Sequence, residues 1–179
     1  MSRIGKIPVS VPKEVKVNIT SDNVHVEGPK GKLDLKLPGG IKVELKDQLL
    51  KIDRQADTKQ HRANHGTVRA NLVNMILGVT QGHKRELEIQ GIGLRAQLQG
   101  KKILFNFGFS HPVEFDVPAD VKISVPTQTN LIVEGADIAH VTQTASQLRK
   151  LKPVEPYKGK GVRYLGEIVR RKQGKSVTK

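Results

Sequence analysis

The sequence predicts an α+β protein of two tandem, duplicated small domains, each an antiparallel sheet packed with one helix, plus a basic C-terminal extension. Three observations predict it. Short segments alternate apolar and polar residues. That alternation gives way twice, once in each half, to a three- and four-residue apolar spacing. Positive charge gathers at the end of the chain. The 179 residues suffice for two cores of ordinary size.

In the first half, Val15-x-Val17-x-Ile19, Val24-x-Val26, Leu33-x-Leu35-x-Leu37, Ile41-x-Val43-x-Leu45 and Leu50-x-Ile52 each set apolar groups on one face of a half-buried strand. Ser21-Asp22-Asn23, Gly28-Pro29-Lys30-Gly31 and Pro38-Gly39-Gly40 supply turns between them, which predicts an antiparallel meander. From about Gln60 to Val79 the period changes: Val68, Leu72, Met75, Ile76 and Val79 form the stripe of a helix lying on a sheet. After Gly78 and Gly82 the alternation restarts with Leu87-x-Ile89, Leu94-x-Ala96-x-Leu98, Ile103-x-Phe105-x-Phe107-x-Phe109, Val113-x-Phe115-x-Val117, Val121-x-Ile123-x-Val125 and Leu131-x-Val133. Ile138, Val141, Ala145 and Leu148 repeat the helical stripe, with Asp137 placed as N-cap and Pro153 closing the element. Gly31-Lys32-Leu33 and Gly100-Lys101-Lys102-Ile103 recur at matching places in the two halves. The expected boundaries are 1–82 and 83–152 for the domains and 153–179 for the extension, with one larger sheet as the alternative to a duplication. The extension has little periodicity and reads as an extended arm lying on something other than its own core.

The chain has no cysteine, which excludes disulfides, thiol nucleophiles and thiolate metal sites and fits a reducing compartment. No apolar run is long enough to span a bilayer, and the N-terminus lacks the continuous apolar stretch of a signal peptide, so a cytosolic protein is expected. The net charge of +14 attracts polyanions. Its distribution is sharper: residues 1–82 carry 14 Lys/Arg against 8 Asp/Glu, residues 83–148 carry 6 against 7, and residues 149–179 carry 11 against 2.

Within that last stretch, Pro156-Tyr157-Lys158-Gly159-Lys160-Gly161-Val162-Arg163-Tyr164 alternates glycines with lysines. Gly159 and Gly161 let backbone approach an anionic surface, Lys158 and Lys160 supply charge, and Arg163 adds a planar fork for phosphate. Tyr157 and Tyr164, the only two tyrosines, are expected to anchor the loop. Arg149, Lys150 and Lys152 extend the basic track from the helix end, and Arg170, Arg171, Lys172 and Lys175 continue it. The competing reading is a solvated charged loop. Aromatics make up 3% of the chain, and the four phenylalanines fall on predicted strand faces, so a core role for most of them outweighs base stacking. Shape, phosphate and 2′-hydroxyl contacts remain as the mode of recognition.

The stretch from Glu155 to Tyr164 resembles the C-terminal signature of the L-six family of large-subunit ribosomal proteins. So do Met1-Ser2-Arg3-Ile4-Gly5-Lys6 with Pro8-Val9, Gly28-Pro29-Lys30-Gly31, His65-Gly66 with Arg69, Gly108-Phe109-Ser110-His111-Pro112-Val113, and Gly166-Glu167, in order and over nearly the whole chain. The chain departs from the family pattern at Val154, where proline is usual, and at Leu94, where tyrosine is usual; neither departure removes a basic group. The resemblance implies a non-enzymatic structural constituent of the large subunit that binds 23S rRNA near the stalk base and sarcin-ricin loop and supports translation. It implies a cytoplasmic ribosome, or an organellar one if the source is a plastid. The implied partners are that rRNA and neighbouring large-subunit proteins, with the less charged N-terminal domain facing such neighbours or translation factors. Neither a membrane nor a small-molecule substrate belongs to this reading.

No cofactor or metal is expected. Gly91-x-Gly93-x-x-Ala96 follows a strand but continues into another, so no helix N-terminus would meet a pyrophosphate. Gly28-Pro29-Lys30-Gly31-Lys32 lacks the interval and the Ser/Thr of a P-loop and reads as a hairpin turn. His61 and His65 share a helical face without a third ligand, and Ser110 and His111, adjacent in sequence, point to opposite sides. The rival classes are a peripheral membrane protein and an enzyme on phosphorylated substrates. The first lacks an apolar anchoring face among residues 156–179, and the second lacks a paired acid and base.

Overall fold

A computed structural model describes residues 4–175; Met1-Ser2-Arg3 at the start of the expected first domain and 176–179 at the end of the expected extension lie outside the described residues. The chain forms two compact units that divide after His83, with Ala136–Ile138 grouped with the first.

The first unit contains β1 (Val9–Ser10), β2 (Lys16–Ile19), β3 (Asn23–Gly28), β4 (Gly31–Lys36), β5 (Ile41–Lys46), β6 (Leu49–Arg54) and α1 (Lys59–Thr80). The expected meander is broken into two three-stranded sheets, β2-β3-β4 and β1-β6-β5. The break falls at Pro38-Gly39-Gly40. Proline cannot donate to a ladder, and Gly40 has φ +80°, so the chain leaves one sheet and starts the next. Leu37 N–H ends the first sheet on the Asp22 carbonyl at 2.7 Å, and Gln55 N–H opens the second on the Gly40 carbonyl at 2.9 Å. The β5–β6 hairpin turns on Asp47 and Gln48, both at positive φ (49° and 62°), the geometry whose twist matches that of paired strands. Gln48 then accepts Val11 N–H at 2.8 Å beside β1, a two-residue strand too short for a periodic signal.

Alternation in the strands and the stripe on α1 meet in one core. Val24, Val26, Leu50 and Ile52 pack with Val68, Leu72, Met75, Ile76 and Val79. The α1 helix touches both sheets and closes the layer over them. It starts where Thr58 Oγ1 accepts His61 N–H, and it stops where Gly82, at φ +79°, turns its N–H back to the Leu77 carbonyl.

The second unit contains, apart from the leading residues of β7 and α2, β7 (His83–Gln90), β8 (Arg95–Gln99), β9 (Lys102–Asn106), β10 (Val113–Asp116), β11 (Val121–Thr127), β12 (Asn130–Gly135), α2 (Ile138–Leu151) and β13 (Gly161–Tyr164). Here too there are two sheets, β10-β9-β8 and β11-β12-β7-β13. The strand expected to run to Phe109 ends at Asn106, because Gly108 at φ +74° bends the chain away. Phe105 and Phe107 are still buried and stacked at 5.0 Å, whereas Phe109 lies half out of the surface. Val141, Ala145 and Leu148 of α2 pack against Leu87, Ile89, Ile103, Phe105, Leu131 and Val133.

The main correction concerns the tail. Residues 161–164 do not form an arm on a foreign surface: β13 pairs antiparallel with β7 in the register Gly161↔Gln90, Val162↔Ile89, Arg163↔Glu88, Tyr164↔Leu87. Val162 is fully buried in the core of the second unit. Four residues, with a glycine at their head and one fully buried apolar group, carry too little alternation to be recognised as a strand.

Candidate nucleic-acid interface

The register of β13 against β7 gathers loops at one end of the sheet. Because Gly161 lies opposite Gln90, the loop before β13 (155–160) and the loop after β7 (91–94) are neighbours. The β11–β12 turn joins them, since the Thr129 carbonyl accepts Ile89 N–H at 2.7 Å and the Gln128 carbonyl accepts Ala96 N–H at 2.8 Å. Loop 155–160 is closed on itself: Glu155 N–H donates to the Lys160 carbonyl at 2.8 Å and Gly159 N–H to the Glu155 carbonyl at 3.0 Å.

The chain after β13 then doubles back. Leu165 N–H bonds the Glu86 carbonyl at 3.0 Å at the far end of β7, and Lys172 N–H donates to the Pro156 carbonyl at 2.8 Å. The Arg171 guanidinium lies against Gly159. Lys158 and Lys160 are thereby brought next to Arg171 and Lys172, more than ten positions away in the chain. All four are exposed, as are Lys150, Arg170 and Lys175, and among the described residues none of these seven cations forms an ion pair with a carboxylate. Cations clustered without counter-charge raise the local potential and favour an anion brought from outside.

The other expected site residues have internal partners. Arg163 donates to Glu88 Oε2 across the strand pair from Nη2 at 3.0 Å and from Nε at 3.3 Å. Arg149 forks onto Glu167 with contacts of 2.5 and 3.2 Å, and its guanidinium also sits 5.8 Å from the Tyr164 ring centre. The Gln90 amide and then Arg163 hold the Glu88 carboxyl below its ordinary value; Arg149, aided by Tyr164 N–H, does the same for Glu167. Pairing with Glu167 raises Arg149 further. These two arginines fasten the tail to the domain, which sequence spacing cannot reveal because Glu88 lies 75 positions from Arg163. The Lys152 ammonium stands 4.4 Å from the Phe109 ring centre, a cation–π contact.

The glycines also serve the protein's own packing. A Cβ on Gly161 (φ +140°) would lie 2.7 Å from the Pro153 carbonyl oxygen, and one on Gly159 (φ +71°) would lie 3.0 Å from the Arg171 guanidinium. The close approach they allow is therefore to the rest of this chain. Of the two tyrosines, Tyr164 packs on the core of the second unit, whereas Tyr157 is 52% exposed. Arg95, exposed at the head of β8 and absent from the expected set, joins the same sheet end.

Elsewhere, the two histidines of α1 are used separately. His61 Nδ1 bonds Thr58 Oγ1, and His65 is buried with Nε2 donating to the Ile52 carbonyl at 2.9 Å. Among the described residues no group of His, Asp or Glu has the arrangement of a metal site, and no helix is long and apolar enough to cross a membrane.

Comparison with known proteins points the same way. The family model described as Ribosomal protein L6 matches residues 11–82 and 90–165, so each unit carries one copy of the repeat. The chain is 47% identical over 176 residues, 98% of its length, to the large ribosomal subunit protein uL6 of Syntrophomonas wolfei, covering 98% of that protein. It is equally similar to the proteins of that name from Trichormus variabilis, of which it covers 97%, and Listeria welshimeri, of which it covers 99%. A duplicated α+β fold, a glycine–lysine loop folded back against its own tail, and full-length identity at this level together establish that the chain belongs to the ribosomal protein L6 family.

Proposed function

We propose that the second unit and its returning tail bind 23S rRNA in the large ribosomal subunit, near the stalk base and sarcin-ricin loop, and so support translation. The observation that carries this reading is the fold-back that sets Lys172 and Arg171 against the loop holding Lys158 and Lys160, none of which forms an ion pair with a carboxylate among the described residues. Phosphate is the ligand that such a cluster suits, with the exposed cations nearby also able to meet 2′-hydroxyls. The two units serve as the two domains, the second taking in the returning tail as well as residues 83–152, and the first, with its diffuse charge, faces neighbouring large-subunit proteins or translation factors. The family is one of ribosomal structural proteins, not enzymes, so no catalytic step enters the reading.

The test is charge removal, not truncation at Val154, which would strip Val162 from the core and confuse folding with binding. Lys158→Ala, Lys160→Ala and Lys172→Ala combined should weaken binding to transcribed 23S rRNA across salt concentrations. With about six phosphates engaged, the log–log salt slope would be about minus five, and losing three contacts should flatten it by roughly two to three. Unchanged affinity and slope would refute the tail-centred mechanism.

A further inference from the structure

Ile92 is 95% exposed, yet the turn that carries it is built rigidly. Leu94 N–H closes the turn on the Gly91 carbonyl at 3.3 Å, and the Leu94 side chain is sunk into the core of the second unit. Gly91 and Gly93 flank Ile92 at φ +141° and +78°, conformations that leave the isoleucine alone at the tip. A single exposed isoleucine is ordinary on a protein surface. This one is distinguished by its position: a Cβ on Gly91 would lie 3.5 Å from Lys160 Cβ, so the tip stands directly beside the loop that carries Lys158 and Lys160. The Gln128-Thr129 turn braces the other side of the sheet end through its bonds to Ala96 and Ile89.

We propose that Ile92 is an apolar contact residue for RNA, packing on ribose and base edges in the wide, shallow minor groove of a duplex whose phosphates are held by Lys158, Lys160 and Lys172. The minor groove of A-form RNA is wide and shallow enough to admit a side chain against its riboses and base edges, and proteins that bind the minor groove of DNA combine cations with apolar side chains in the same way. This rests on the RNA-binding reading and adds a contact that carries no charge.

The two readings separate by salt dependence. In the full chain, Ile92→Ser should leave the thermal midpoint unchanged, reduce affinity for 23S rRNA about tenfold and leave the salt slope as it was, since an apolar contact releases no counterions. Ile92→Val should bind nearly as the unchanged chain does. Ribose acylation of the complex should show a few adjacent nucleotides losing protection with Ile92→Ser while the rest of the footprint persists. Binding by Ile92→Ser within twofold of the unchanged chain would overturn the proposal and leave the function reading intact, and so would a flattened slope like that of the lysine variant. Failure of the unchanged chain to bind would overturn both.

Discussion

Replacing Gly161 by alanine tests whether β13 is structural. The residue stands at φ +140°, where an L side chain is strained by about 1–3 kcal/mol. The new methyl would also lie 2.7 Å from the Pro153 carbonyl oxygen and 2.9 Å from that of Lys152. Both are backbone atoms, and the Lys152 carbonyl cannot swing aside without losing the bond it accepts from Val162 N–H at 2.9 Å just beyond the end of α2. Overpacking of this kind costs about 1–3 kcal/mol more, for a total of roughly 2–6 kcal/mol. For a domain of this size each kcal/mol moves the midpoint by about 4–8 °C, so the second unit should melt at least about 8 °C lower. Calorimetry reads the midpoint, and amide exchange on Val162 and Arg163 reads whether β13 has left β7. Gly174→Ala, with no atom within 4 Å of the added carbon and no positive φ, is the control and should change stability by less than about 0.5 kcal/mol. An unshifted midpoint with β13 amides still protected would show that the close approach to Pro153 has no energetic weight.

Glu88 and Glu167 give a pH dependence of defined sign. Both have folded-state values below the ordinary 4.5, so the stability they contribute is full above that value and is lost as pH falls through their folded pKa values. Urea melts between pH 6 and 3 should therefore fall less steeply for Glu88→Gln and Glu167→Gln than for the unchanged chain; parallel curves would deny the carboxylates that role. Leu72→Ala, fully buried where α1 meets the sheets, should cost about 2–5 kcal/mol in denaturant melts. Thr58→Ala should cost about 1 kcal/mol, since its hydroxyl caps α1.

The helices and most strands were legible in the sequence because their apolar residues recur at fixed spacing. α1 was expected at about 60–79 and runs Lys59–Thr80. What misled was topology. Apolar alternation shows that a strand buries one face, but it does not name the neighbour, and a single expected sheet in each half became two. Asp47-Gln48 carries no glycine to signal its turn, although both residues take positive φ.

The basic character of residues 149–179, the absence of thiol chemistry and the family resemblance were all determined by the order of residues alone, because charge and residue type need no geometry. Which cations stay available and which are consumed was decided only by the tertiary structure. Arg149 and Arg163 look like any other tail arginine until the strand register brings Glu167 and Glu88 against them, and Lys172 joins Lys158 only because the chain returns to Pro156. Electrostatic pairing depends on distance in space, and distance in sequence does not determine it.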